Sequence, residues 1–232
     1  MFDTTNLLWY SSIAVEFLFC LYLIWVRLAN SYPIFTVCLG CSVGRSLAAL
    51  YFMRGAVGPL LPLKYTYFWL WSEPFWLLLQ LAVAFEVHTK MWKSYRAVLK
   101  HTCPLLAFAF ITALVSAAVP MRAELNHANG SRLMMWMHFE FLVKRYESSV
   151  LAVFLILSGI LFLIVVHDAW ETSLFRHEGM FAAYLGIYAT ACFIIEMEWS
   201  RKSLVNGYVA AALTVCFVVW IGAFRPQEVP NG

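Results

Sequence analysis

Seven long apolar segments recur along the chain, and they constrain its fold more than any other feature of the sequence. The hydrocarbon core of a bilayer is about 30 Å thick, and an α-helix needs about 20 apolar residues to cross it. Such segments cross as helices because a bilayer offers no water to hydrogen-bond an exposed backbone. The predicted spans, each within a few residues at its ends, are Leu7–Leu28, Tyr32–Met53, Tyr65–Val87, Cys103–Val119, Ser148–Val166, Gly179–Met197 and Val205–Phe224.

The composition agrees with this interpretation. Of the 232 residues, 62% are hydrophobic and only 12% are charged, whereas a soluble domain carries about 25% charged residues. So little polar surface excludes a water-soluble globular domain, and a net charge of +3 is too small to indicate a nucleic-acid partner. We therefore predict one all-α, polytopic membrane domain over residues 1–232, a bundle of seven transmembrane helices in the lipid bilayer.

A longer helical segment is predicted between spans 4 and 5. The pattern from Ser131 to Val166 fits one helix, and Asn129–Ser131 supplies a start signal. At about 1.5 Å per residue such a helix would be about 54 Å long, which is far more than one crossing requires. We therefore expect its first half, Arg132–Glu147, to project from the membrane or to lie among the headgroups. There it would act either as a lid over the helix ends or as a gate or docking surface.

The distribution of basic residues predicts the orientation. We denote the membrane face that carries the N-terminus as side A and the opposite face as side B. Directly after the third span, side B receives a basic group without any acid, formed by Lys90, Lys93, Arg96 and Lys100. The positive-inside rule then predicts that the N-terminus is outside and the C-terminus cytoplasmic. Because no basic residue precedes the first span, we expect that span to be retained rather than cleaved as a signal peptide.

Three ionisable residues fall well inside the predicted spans, on three consecutive helices: Glu16, Arg45 and Glu73. At about 1.5 Å per residue, all three lie about 12–14 Å below side A. A charge near the bilayer centre costs roughly 2.5–3.5 kcal/mol on insertion scales, so such residues face the interior of the bundle and find partners. We expect Arg45 to pair with Glu73, with Glu16 or with both.

This layer allows two interpretations. It is either a structural ion bridge that locks three helices together, or a ligand-binding, ion-binding or proton-handling site at the end of a polar cavity open to side A. Gln80 joins the predicted site because it follows Glu73 by two helical turns on the same face. Pro74 follows Glu73 directly and frees a backbone carbonyl one turn earlier, which would open a polar recess.

Two further patterns lie in the second span. Gly40, Gly44 and Ala48 form a stripe of small residues at intervals of four, which predicts a packing or homodimer face. Cys38 and Cys41 form a CxxC pair, which invites a thiol-redox interpretation. Cysteine also packs in membranes as a small apolar residue, so the pair has an ordinary structural explanation as well.

Several motifs are absent from the sequence. There is no P-loop, HExxH or GxSxG pattern and no paired Cys/His zinc spacing, so we predict neither a cofactor nor a metal. The seventh span has no lysine for a retinal Schiff base, and no histidine falls inside a predicted span to ligate a haem. The histidines are His88, His101, His127, His138, His167 and His177.

Three function classes stay open. The first is a small-solute or ion transporter, a channel or a ligand-binding receptor with a cavity that ends at the Glu16, Arg45 and Glu73 layer. The second is a non-catalytic scaffold or accessory subunit of a membrane complex, in which the buried charges are purely structural. The third is a thiol-redox enzyme that uses Cys38 and Cys41, and the sequence argues against this catalytic role. A homodimer, a larger membrane complex and a small-molecule ligand are the partners left open.

Overall fold

The computed structural model describes residues 4–54, 61–125, 132–166, 172–197 and 202–223. Within these ranges the regular structure is entirely α-helical. The helices are α1 (Thr4–Trp25), α2 (Leu28–Ser31), α3 (Pro33–Arg54), α4 (Leu61–Met91), α5 (Arg96–Leu125), α6 (Arg132–Val165), α7 (Ser173–Met197) and α8 (Lys202–Ala223).

Seven of these helices are long and apolar enough to cross a membrane, which confirms the predicted all-α bundle. Large apolar side chains cover the outside of the bundle; Ile164 and Phe75, for example, are each 74% exposed. Contiguous apolar surface of this kind is unusual on a soluble monomer and suits contact with lipid. The candidate spans are Leu7–Trp25, Pro33–Phe52, Lys64–Met91, Arg96–Val119, Met135–Val165, Ser173–Met197 and Leu204–Ala223.

The packing of the helices places α6 and α7 at the centre of the arrangement. Helix α6 contacts α4, α5 and α7, and α7 in turn contacts α8. Helix α1 packs against α3 and α8, which closes the other half of the bundle. The main core cluster is aromatic and draws on several helices; among its members are Phe19, Phe35, Phe181 and Trp220.

Glu86 stabilises the start of α3 at side B. The first backbone N–H groups of a helix have no partner within the helix and attract a negative charge. One carboxylate oxygen of Glu86 accepts the N–H of Phe35 at 2.9 Å and the other accepts the N–H of Ile34 at 3.3 Å. Lys90 lies 3.2 Å from the same carboxylate. Pro33 suits the first helical position because it has no N–H to satisfy.

A chain of hydrogen bonds ties α4, α5 and α6 together near side B. The Trp92 indole donates to the Ser158 hydroxyl at 3.0 Å, and Ser158 donates to Nδ1 of His88 at 3.0 Å. Nε2 of His88 lies 2.7 Å from the Thr102 hydroxyl, which itself donates to the Val98 carbonyl. Every side-chain polar atom in this series of hydrogen bonds therefore has a partner, which is what a buried polar group requires.

Two expectations about residue depth need correction. His88 and His177 are both buried inside long helices, although neither falls inside a predicted span. The third predicted span ended too early and the sixth began too late, because a helix can continue past its apolar stretch where its polar side chains have buried partners. For His177 one such contact is the Trp220 indole, which donates to its Nδ1 at 3.0 Å.

Helix α6 runs unbroken from Arg132 to Val165, as the single-helix interpretation predicted. The expectation that all of Arg132–Glu147 lies outside the bundle is wrong for its second half. Leu142 and Val143 pack with apolar side chains of α4 and α5, and Glu147 is fully buried. The apolar crossing accordingly begins near Met135 rather than at Ser148. The predicted start signal, Asn129–Ser131, lies outside the described residues.

Candidate ligand-binding cavity

A cluster of three charged side chains lies inside the bundle, contributed by α3, α4 and α6. Arg45 forms an ion pair with one carboxylate oxygen of Glu73 through Nη2. The Nζ atom of Lys144 lies 2.9 Å from the other oxygen of the same carboxylate. Glu73 is 1% exposed, so its charge depends on these two cations rather than on water.

Aromatic rings surround the two cations. The Arg45 guanidinium carbon lies 3.8 Å from the centre of the Trp69 ring and 5.8 Å from that of Trp76. The Lys144 ammonium lies 5.0 Å from the Tyr188 ring and 5.3 Å from Trp69. Cations within about 6 Å of an aromatic face gain electrostatic stabilisation. The rings thus help to hold two like charges at the same site.

Lys144 is the member of this cluster that the sequence analysis missed. Its neighbours Glu140, Arg145 and Glu147 made the segment appear too charged to be buried. One signal was available: Lys144, Glu147 and Ser148 share one face with Leu151, at helical intervals of three and four. In the structure all four of these side chains are buried.

Glu16 lies apart from the ion cluster, although the sequence places it at the same depth. Glu16 is near Ser42 of α3, whereas the ion pairs of Arg45 and Lys144 go to Glu73. Glu16 is 6% exposed. The predicted layer is therefore split between an ion cluster and a separate carboxyl group.

Glu16 and the two cations of the ion cluster line one cavity of about 410 Å³, in the half of the bundle nearer side A. This volume is within the range of about 300–1,000 Å³ that is typical of small-molecule sites. All the long helices except α5 contribute to the walls. The polar lining residues are Ser12, Glu16, Ser42, Arg45, Ser46, Lys144 and Asn206.

The rest of the lining is mainly apolar and aromatic. Rings from α1, α4, α7 and α8 line the cavity, and Trp9 and Tyr65, near the starts of α1 and α4, are the rings nearest to side A. An apolar wall with a few convergent polar groups is the usual composition of a ligand site. The aromatic residues on the wall include Trp9, Tyr65, Trp69, Trp76 and Tyr188.

Gln80 does not line this cavity. It lies two turns beyond Glu73 toward side B and is completely buried. Within the described part of the chain, neither its amide nitrogen nor its amide oxygen has a hydrogen-bond partner. Pro74 lies inside α4, which continues through it as a helix.

The small-residue stripe of α3 faces away from the other described helices. A Cβ atom added to Gly40 or Gly44 would meet no heavy atom of the described residues within 4 Å, and Ala48 is partly exposed. Nothing in the described part of the chain packs closely against the two glycines. A homodimer face on this stripe stays a prediction.

The two cysteines of the CxxC pair are free thiols in different surroundings. Cys38 is buried in the main core, and Cys41 is exposed. Neither lines the cavity.

Within the described ranges, no three His, Cys, Asp or Glu side chains lie close enough together to hold a metal ion. His167 lies outside those ranges.

Comparisons with protein-family models, with curated proteins and with solved structures find no match for this chain. The functional argument therefore rests on the geometry of the cavity and on the charges that border it.

Proposed function

We propose that this integral membrane protein binds a small polar solute or ion in the cavity, as a transporter, channel or receptor. One observation carries the proposal: three charged side chains from three different helices border the same 410 Å³ space inside an apolar bundle. Protein interiors are normally close-packed, with few voids larger than a water molecule. A purely structural ion cluster would be enclosed by packed side chains, whereas Glu16, Arg45 and Lys144 face open volume.

The local chemistry also suits recognition of a solute. Ionisable residues inside a membrane are costly to bury, and those that occur there commonly mark substrate or ion pathways. Arg45 uses one of its N–H donors for Glu73, and its Nε is buried without a hydrogen-bond partner among the described residues. The guanidinium therefore retains donor capacity for a further acceptor.

A thermal-shift screen of the purified protein in detergent tests the proposal. The screen would contain amino acids, carboxylates, amines, sugars, nucleosides and inorganic ions. A ligand at 100 times its dissociation constant stabilises the folded state by about 2.7 kcal/mol, which raises the melting temperature of a protein of this size by about 5–10 °C. The expected result is at least one solute with a saturable shift of this order.

Two neighbouring variants show whether such a solute occupies the cavity. Ser46 lines the cavity, whereas Leu47 is 53% exposed on the outer face of the same helix. Ser46→Trp should fill the space and abolish the shift, and Leu47→Trp should leave it unchanged. The proposal is refuted if no solute shifts the melting temperature, or if the shift survives undiminished in Ser46→Trp.

A scaffold or accessory subunit is the second candidate function, and one observation favours it. Glu73 contacts Arg45 and Lys144 at once and so joins α3, α4 and α6. On this alternative the ion cluster serves only to hold the helices together. Substitution of Glu73 would then destabilise the bundle while no solute affected its melting temperature.

We also propose that side B faces the cytoplasm, with the N-terminus outside. The basic group after α4 supports this orientation because Lys93, Arg96 and Lys100 are exposed at the end of the bundle where anionic lipid would lie. A reporter enzyme active only in the cytoplasm, fused to the C-terminus, should be active. A matched reporter that is active only outside should be silent, and the reverse pattern would overturn the orientation.

A further inference from the structure

Groups of opposite charge border the cavity: we term Arg45 and Lys144 its cationic end and Glu16 its acidic end. The two cations share Glu73 as an ion-pair partner, and Glu73 does not itself line the cavity. Glu16 is near Ser42 and has no ion pair with a cation of the described residues. Glu16, Arg45 and Lys144 all line the same cavity. The separation of charge is therefore a property of the cavity itself.

Two further acids of this region lie outside the cavity lining. Glu140 is one turn before Lys144 on α6, on the side A flank of the ion cluster, and Glu147 is fully buried about one turn after Lys144. The groups that a solute would meet are thus a carboxyl group on α1 and two cations on α3 and α6. The Nε of Arg45 is an unused buried donor at the cationic end.

Charge complementarity narrows the class of solute. A simple anion would satisfy Arg45 and Lys144 but would leave Glu16 buried without a cation. A simple cation would satisfy Glu16 but would leave the unused Arg45 donor at the cationic end without an acceptor. A buried charge is tolerated only when it is paired and hydrogen-bonded, so each of these ligands leaves one end unsatisfied.

Resting on the proposed function above, we propose that the ligand is a small zwitterion. Its anionic group, a carboxylate or an equivalent, is bound by Arg45 and Lys144, and its ammonium group is bound by Glu16. The aromatic rings between the two ends contact the apolar part of the solute, and they add cation–π attraction for the ammonium group. Such a ligand carries no net charge into the bundle and supplies a partner to both ends at once.

A matched series of solutes tests this inference on the wild-type protein. The series consists of the ω-amino acids from glycine to 6-aminohexanoate, each with the carboxylic acid and the amine of equal chain length. Binding is measured by thermal shift and titration calorimetry. At one or more chain lengths, the amino acid should bind about tenfold or more tightly than both its acid and its amine, since each end adds a charge-assisted hydrogen bond.

Two matched variants assign the ammonium end. Glu16→Gln should reduce the affinity of the amino acid to that of the acid and leave the acid unaffected. Glu178→Gln is the control, because Glu178 is also buried but lies toward side B and does not line the cavity. This control variant should bind like the wild type. The wild-type series decides the question even if Glu16→Gln does not fold.

Four results would overturn the inference. An acid or an amine that binds as tightly as its amino acid at every length would exclude recognition of both charges. A Glu16→Gln variant that folds and keeps the preference would remove Glu16 from the site. If no member of the series binds, while another solute gives a shift that Ser46→Trp abolishes, the zwitterion is wrong and the proposed function stands. If no solute of any class binds, both proposals fall.

Discussion

Removing the acid of the ion cluster should cost more stability than removing either cation. In Arg45→Met the carboxylate of Glu73 keeps Lys144 at 2.9 Å. The loss is then about one charge-assisted hydrogen bond, or about 1.5–3 kcal/mol. The same reasoning applies to Lys144→Met, because Arg45 remains paired with Glu73.

Glu73→Gln has a different consequence. It removes the carboxylate that pairs with both Arg45 and Lys144, and breaking a buried ion pair typically costs about 3–5 kcal/mol. We therefore expect Glu73→Gln to be the most destabilising of the three single variants. Adding Arg45→Met to Glu73→Gln should recover part of the loss, because it removes one of the two unbalanced charges.

The double variant Arg45→Met/Lys144→Met gives the sharpest test. Either cation alone can still neutralise Glu73, but the loss of both leaves its buried carboxylate without any. The destabilisation should therefore exceed the sum of the two single effects by about 0.5–3 kcal/mol, which is the usual range of coupling between residues in one network. Unfolding by denaturant in detergent, at constant detergent concentration, measures the free energy of unfolding of the wild type and of each single and double variant.

Glu16→Gln is the matched control for these measurements, since it removes a buried carboxyl group that has no ion pair with a cation of the described residues. It should change the free energy of unfolding less than Glu73→Gln does. The reasoning is refuted if the two glutamates are equally sensitive, or if the effects of Arg45→Met and Lys144→Met simply add. Additivity would mean that the two cations do not share Glu73.

Three further predictions address other parts of the bundle. Gly44→Leu should leave the stability of the single chain unchanged, because the space around Gly44 is open. A changed oligomeric state in light scattering would identify the stripe as a dimer face. A lower melting temperature of the monomer would contradict the outward orientation of the stripe. Glu86→Gln should destabilise the protein by about 1–3 kcal/mol in denaturant unfolding, because two backbone N–H groups at the start of α3 lose a charged acceptor. Ser158→Ala should cost about 1–3 kcal/mol in the same assay, since it leaves the Trp92 indole and the Nδ1 atom of His88 without their hydrogen-bond partner. Ser149→Ala, which removes only a local bond to Arg145 within α6, should have a smaller effect.

The helices and the depth of their charges were readable from the sequence. A segment in a bilayer must satisfy its own backbone, so a sufficiently long apolar run predicts a helix with little dependence on its neighbours. Depth follows from counting residues along that helix at about 1.5 Å each. For this reason Arg45 and Glu73, predicted at one depth, could be proposed as partners before any packing was known.

The arrangement around the helix axes was decided only by the tertiary structure. Glu16 has the same depth as Arg45, yet it forms no ion pair with a cation of the described residues, because the packing of α1 against α3 and α8 places it on a different wall of the cavity. Lys144 lies in a segment whose local charge predicted exposure, and it is buried because α4 and α7 supply Glu73 and Tyr188. The glycine stripe shows the converse: its spacing favours close packing, but no helix of the described chain packs there. The sequence of a helix specifies which side chains lie on each of its faces. Which helix packs against each face depends on segments distant in the chain.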